Sequence, residues 1–418
     1  MAIDRSDKGL AQNAGFVLGA ELVVQATRAA TIFVLADVFA KDTFGTYVSL
    51  LALTTLLAPV SQWGMNHVGV RAVARNVPFA ETWAKVISAV SVGGLLGTAV
   101  ATIVGFALLD VRPVVALAFG IAQLVGFNTA QASTMMTEAH HRSDVGLRIN
   151  ITGGAVRLAL LVAFVLLGFD DLLRWSLFLL IGMVSWGVLS AIQVSRAFGG
   201  NFRLTAPSRE DLRHGFGFVF VQTSSSGQTD IDKFVLGANG LTADAAIYSP
   251  AYRIVEMATI PLIAVVRATY AEFFRKGAST ISEAMAFAKR LTAIAATYGL
   301  VAGVGLFLAA PLILLILDDA DFADSVNAVR WLAFIPFVKG LQYFPGNALT
   351  GADHHNVRSW IIFTTAIVNL IGNLIFIPSY GWQAAAVTTL VAEVLFAGLL
   401  WGAVSLLSRR EESASAVV

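Results

Sequence analysis

Residues 84–109 read AKVISAVSVGGLLGTAVATIVGFALL, and residues 113–137 read PVVALAFGIAQLVGFNTAQASTMMT, with only Asp110-Val111-Arg112 between them. The first run has one charged residue, Lys85, at its border, and the second has none. A helix rises about 1.5 Å per residue, so each run is long enough to cross roughly 30 Å of hydrocarbon. A helix on the surface of a soluble protein would break such a run with polar residues along one face. These two do not, and the charged hinge between them reads as the turn joining two consecutive membrane spans.

Outward from this pair the pattern recurs. Spans are expected near 13–38, 46–70, 84–109, 113–137, 147–168, 172–195, 213–236, 244–271, 290–317, 326–350, 357–378 and 381–407. Composition agrees: the 418 residues are 57% hydrophobic and 13% charged, with mean hydropathy +0.74, where a soluble domain carries about 25% charge. A net charge of +1 gives no reason to expect a nucleic-acid partner. The absence of cysteine excludes disulfides, thiolate metal sites and cysteine nucleophiles. The polar opening MAIDRSDKGLAQ leads into an apolar run read as a retained helix. No P-loop is present, and the short loops on one side leave no large external segment of the kind a membrane glycosyltransferase uses, so the chain reads as a non-enzyme.

Lys and Arg set the orientation. Eighteen lie in the loops on the N-terminal side, against Lys41, Arg112, Arg174 and Arg330 opposite, which puts both termini in the cytoplasm. The longest loop falls at the midpoint and divides the chain into an N-lobe over 1–200, a linker over 201–212 and a C-lobe over 213–418. The halves look repeated. Phe33-Val34-Leu35 with Tyr47 matches Phe234-Val235-Leu236 with Tyr248, and Pro59 and Pro261 follow at nearly the same offset. His140-His141 and His354-His355 are a further trace of the repeat. The expected fold class is all-α: a polytopic membrane protein of about twelve helices in two pseudo-symmetric six-helix lobes around a central cavity.

Charged groups inside spans carry the functional information, since each costs about 2.5–3.5 kcal/mol at the bilayer centre. The cations are Arg28, Arg157, Lys233, Arg253, Arg267 and Lys339; the anions are Glu21, Asp37, Asp230, Asp232, Glu256 and Glu393. Arg267 and Asp37 lie near span ends and can snorkel. Asp230 with Lys233, and Arg253 with Glu256, are three apart and can pair locally. Arg28, Arg157 and Lys339 have no opposite charge at that spacing and are the better anion holders. The run Thr223-Ser-Ser-Ser-Gly-Gln-Thr-Asp230 puts polar groups on every face of its span, so Asp230 and Asp232 are candidates to bind Na⁺ or relay protons. Stripes such as Ala89-Gly93-Gly97 and Gly299-Gly303 read as helix-packing faces.

The segment Asn369-Leu-Ile-Gly-Asn-Leu-Ile-Phe-Ile-Pro-Ser-Tyr-Gly381, followed by a small-residue helix ending at Glu393, resembles a late signature of polysaccharide flippases. Thr229-Asp-Ile-Asp-Lys-Phe-Val-Leu-Gly237, Ala246-Ile-Tyr-Ser-Pro-Ala-Tyr-Arg253, the acidic Asp318-Asp-Ala-Asp-Phe-Ala-Asp-Ser with Ala328-Val-Arg-Trp-Leu-Ala333, and Phe44-Gly-Thr-Tyr47 fit the same pattern in order. The chain is similar to the O-antigen and exopolysaccharide flippases. They lie within the multidrug, oligosaccharidyl-lipid and polysaccharide exporter superfamily, beside the lipid II flippase and the multidrug and toxin extrusion transporters.

The resemblance implies a cation-lined cavity that receives a polyprenyl-pyrophosphate-linked oligosaccharide from the cytoplasmic leaflet of the bacterial inner membrane. Arg28, Arg157, Arg253, Lys339 and Lys233 would bind it. Asp230, Asp232, Glu256, Glu393 and Glu21 would couple Na⁺ or protons, with no cofactor or metal. Membrane lipids and other polysaccharide-assembly membrane proteins are the implied partners. By position, Arg28 and Arg253 correspond to cavity arginines of the family's first and eighth helices. Six cations beside six anions depart from a strongly positive cavity, so a cation-coupled multidrug exporter on the same fold stays open as the alternative.

Overall fold

The computed structural model describes the backbone of residues 3–203, 205–315 and 323–415, and side chains within these from residue 22 to 312 and 323 to 413. The Glu21 side chain and the acidic stretch Asp318–Asp321 lie outside the described residues. The described chain is helical throughout. The first part holds α1 Ile3–Val38, α2 Lys41–Ser61, α3 Met65–Ala74, α4 Phe79–Leu109, α5 Pro113–Gly120, α6 Asn128–Ala139, α7 Ser143–Leu166 and α8 Leu172–Phe198. After it come α9 Arg209–Ala238, α10 Thr242–Met257, α11 Ile260–Gly277, α12 Ile281–Ala309, α13 Ala323–Leu332, α14 Ile335–Gly351 and α15 His355–Ser415.

Each expected span falls on a helix or a broken helix. Among the described residues seven helices are long and apolar enough to cross a membrane, or eight if the bent pair α10 and α11 counts as one span. α15 contains the last two expected spans, separated at Gly381, whose φ of 55° and ψ of −135° interrupt the helix. Glycine is required there twice over, since a Cβ would also lie 2.7 Å from the Asp244 carboxylate.

The prolines of the sequence repeat sit at breaks. Pro59 lies in the last turn of α2, before the interruption at Gln62–Gly64 that leads into α3. Pro261 opens α11 after a 44° bend from α10. Proline lacks the N–H that would continue the ladder and clashes with the preceding turn, so a span that must bend does so there. The paired histidines also occupy corresponding places, in the α6–α7 and α14–α15 turns, where His141 and Asp353 take positive φ.

The chain forms two compact units. Unit 1 comprises residues 1–226 with 237–242, and unit 2 comprises 227–236 with 243–418, so the division passes through α9 between Ser226 and Gly227. In unit 1, Phe39, Tyr47, Phe119, Phe164 and Trp175 make an edge-to-face aromatic core, with Phe164 and Trp175 5.2 Å apart. Unit 2 packs Leu262, Phe273, Ala284, Phe344, Ala348 and Leu400 around α14.

Both small-residue stripes lie on helix crossings. A Cβ at Gly93 would overlap the Ser61 carbonyl oxygen, and one at Gly299 would come 2.5 Å from that of Pro336. Without a hydrophobic drive between helices in lipid, such backbone-to-backbone approach supplies the dispersion contact that holds spans together.

Candidate functional site

In unit 1 the span beginning at α5 is not α-helical throughout. Ile121–Phe127 forms a π-helix between α5 and α6, a wider turn that shifts the register of everything after it. Its last residue, Phe127, is where Arg28 and Arg157, the two mid-span arginines of this unit, meet. The Arg28 guanidinium carbon is 5.0 Å from the Phe127 ring centroid, and that of Arg157 is 5.7 Å from it. Arg157 is buried and Arg28 half-buried.

Gly153 and Gly154 explain how the arginines are brought there. A Cβ at Gly154 would lie 2.9 Å from Val23 and 3.0 Å from Thr27, so α1 and α7 approach closely one residue before Arg28 and one turn before Arg157. On the next face, a Cβ at Gly153 would overlap the Trp186 indole, whose Nε1 donates to the Ile149 carbonyl at 2.9 Å. Trp186 in turn packs 5.9 Å from Phe127. Arg157 donates from Nη2 to Met183 Sδ at 3.8 Å. The result is two guanidiniums on one aromatic ring, with a second aromatic beside it. A cation over a ring gains about 0.5–2 kcal/mol, but two like charges close together favour any anion that reaches both. Planar guanidinium forks match phosphate oxygens in pairs.

Unit 2 is built differently. Lys233 lies 3.2 Å from Asp230 and 3.4 Å from Asp232, with its ammonium 4.1 Å from the Tyr252 ring centroid. Asp232 is fully buried, and accepts from Tyr248 at 2.6 Å and Thr389 at 3.2 Å. Arg253 pairs with Glu256 at 2.6 Å. Lys339 pairs with Glu393 at 2.5 Å, and Gln342 donates to both the side chain and the backbone carbonyl of Glu393. The field of Glu256 also reaches Lys233 and Lys339. Three cations and four carboxylates therefore form one interlocked network, and each of the three cations is salt-bridged.

The asparagines of the late signature form a separate, uncharged chain of hydrogen bonds in the same unit. Asn373 donates to Asn369 at 3.0 Å and accepts from Thr388, joining the two halves of α15. Asn369 reaches the Gln228 carbonyl at 3.5 Å, and Gln228 bonds Thr365, which ties α15 to the polar run of α9.

The structure thus sorts the residues singled out in the sequence. It brings Arg28 and Arg157 together, closes the two local pairs, and joins Lys339 to Glu393 on another helix. Arg267 and Asp37 are exposed. Phe127, Trp186, Gln342 and Thr389 were not legible beforehand, because aromatic and neutral residues are common in any span, and Tyr248 and Tyr252 stood out only as parts of the repeat and of the family motif. The π-helix was the hidden signal, and no periodicity announces it.

Comparison with known proteins gives the family. The model of the polysaccharide biosynthesis protein family matches residues 10–273. No curated protein sequence matches the chain. Among solved structures, an inward-facing multidrug resistance MATE family transporter of the MOP superfamily has a TM-score of 0.72 at 13% identity, over 94% of this chain and 99% of that one. An outward-facing transporter of the same description has 0.61 at 15%, over 96% of each. A MOP superfamily transporter from Pyrococcus furiosus, described as having a binding pocket of reverse polarity, has 0.61 at 13%, again over 96% of each. These likenesses carry the fold and the family model carries the membership: the chain belongs to the polysaccharide biosynthesis protein family and is a multi-pass membrane protein on the fold of the MOP-superfamily transporters.

Proposed function

We propose that this protein moves a polyprenyl-pyrophosphate-linked oligosaccharide from the cytoplasmic to the periplasmic leaflet of the bacterial inner membrane by alternating access, with both termini in the cytoplasm. The observation that carries the reading is the convergence of Arg28 and Arg157 on Phe127 in unit 1. Two guanidiniums suit a pyrophosphate, and the buried Phe127 and Trp186 rings hold them in place. Family membership supports a polysaccharide cargo.

The test is made in cells lacking the gene, by asking which leaflet holds the lipid-linked oligosaccharides from their accessibility to periplasmic enzymes. Accumulation on the cytoplasmic leaflet, relieved by the wild-type gene, is the expected result. A normal distribution would overturn the reading. It would favour the second one, a cation-coupled drug exporter, for which the four carboxylates of unit 2 are the supporting feature and dye efflux the assay.

We assign ion coupling to the Asp230–Lys233 pair. The Asp230 side chain is 21% exposed where that of Asp232 is fully buried, so Asp230 is the carboxylate that can exchange a proton or Na⁺ with water. Asp230→Asn is expected to leave transport independent of the Na⁺ or proton gradient. Undiminished gradient dependence in that variant, measured in vesicles with an imposed gradient, would remove Asp230 from the coupling path.

A further inference from the structure

At the end of unit 2 where α11 meets α12 and α14 meets α15, the backbones of Gly277 and Gly351 nearly touch. Arg358, in the first turn of α15, folds back into this junction. It donates from Nη1 to the Thr350 hydroxyl at 2.9 Å, and its Nε is buried with no hydrogen-bond partner. The guanidinium lies against Gly346, where a Cβ would stand 3.4 Å from that same Nε. Among the described residues no carboxylate lies within ion-pair distance of Arg358, and the ionisable group whose field reaches it is the Tyr270 phenol.

In this it differs from the cations of the charged network, and from Arg330, whose Nε is also buried without a partner but whose guanidinium lies over the Phe307 ring. Lys233, Arg253 and Lys339 each have a carboxylate within 3.2 Å. A guanidinium drawn out of water against one neutral hydroxyl is costly unless an anion completes it. The surroundings say what kind of anion. Tyr270 is 41% exposed and Trp360 62% exposed, with Phe274 beside Tyr270 at 5.1 Å. Amphipathic aromatics exposed at the end of a span mark the depth of the lipid headgroups. Arg275 and Lys276 close α11 at the same end, both paired with Glu272, which leaves one net positive charge there.

We propose that Arg358, with Thr350, forms a seat for the phosphate of a membrane lipid at this end of unit 2. The ligand class is a lipid-borne phosphate, and the exposed aromatic rim favours an anionic phospholipid of the surrounding bilayer over a soluble phosphate. The seat is made by residues of unit 2 alone and does not depend on the transport reading.

The experiment is thermal unfolding of the purified full chain in phosphatidylcholine mixed micelles, titrated with phosphatidylglycerol, with a polyprenyl phosphate, or with inorganic phosphate. Phosphatidylglycerol is expected to stabilise the wild type. Arg358→Gln should weaken that response about tenfold in apparent affinity, and Arg358→Lys, which keeps the charge without the fork, should fall between. In phosphatidylcholine alone Arg358→Gln should melt no lower than wild type, because it removes an uncompensated charge. Stabilisation by the polyprenyl phosphate but not by phosphatidylglycerol would keep the seat and assign it to a polyprenyl lipid. Stabilisation by inorganic phosphate alone would overturn the lipid source. An equal phosphatidylglycerol response in wild type and Arg358→Gln would overturn the seat itself. So would a large loss of stability in Arg358→Gln without any lipid dependence, which would make Arg358 a packing residue.

Discussion

Lys339→Ala is expected to remove most of the folded protein, and Lys339→Met combined with Glu393→Leu to bring it back. The Glu393 side chain is 4% exposed and lies 2.5 Å from the Lys339 ammonium. Removing the lysine strands a carboxylate in the interior, at a cost of about 3–5 kcal/mol. That is a large share of the roughly 5–15 kcal/mol by which a folded protein is stable. Replacing both partners by apolar residues of similar volume leaves no buried charge, and such swaps are often neutral. Gln342 keeps its bond to the backbone carbonyl of residue 393 in that case. The readout is the monodisperse fraction after extraction from membranes. A double variant no more abundant than Lys339→Ala would show that the pair is not what holds these two helices.

For Arg157→Met and Arg28→Ala the expected pattern is the reverse: abundance near wild type, with transport severely reduced. Methionine fills the buried arginine's volume beside Met183, and the Phe127 ring under both arginines keeps its packing against Trp186. Each removes one guanidinium from an anion held by both, a loss of about 2–4 kcal/mol, or roughly 30- to 1000-fold in binding. Arg157→Lys should recover only part of the activity, since an ammonium lacks the paired donors. Transport is read from the leaflet distribution of the lipid-linked oligosaccharide. Full activity in both variants would remove the arginine pair from the substrate path.

How much of this was legible in the sequence depends on the range of the interaction. Helical periodicity is local, so the spans, their proline breaks and the small-residue stripes could be read from residues a few positions apart. The Asp230–Lys233 and Arg253–Glu256 pairs fall under the same rule, being one turn apart. Lys339 and Glu393 are 54 positions apart, so no spacing rule joins them. Sequence alone put Lys339 with the anion-holding cations; the structure adds a matching carboxylate that sequence could not locate. Arg28 and Arg157 stood out as intramembrane charges, but their meeting at Phe127 depends on close helix approach at Gly153 and Gly154. Arg358 passed as one more loop cation, because at a span boundary burial cannot be told from exposure by composition.

The π-helix at Ile121–Phe127 has a consequence for how this chain is compared with its relatives. A π turn amounts to one residue inserted into an α-helix, absorbed locally by widening instead of by a loop. Any relative with a regular helix here is one residue shorter at this point, inside a membrane span where alignments are reluctant to open a gap. Aligned without the gap, its residue at the place of Phe127 is matched to Gly126 or Asn128, and the ring beneath the two arginines vanishes from view. A one-residue gap between positions 121 and 127 is therefore the alignment that keeps the aromatic in register, and cargo preferences across relatives should be sorted only after it has been made.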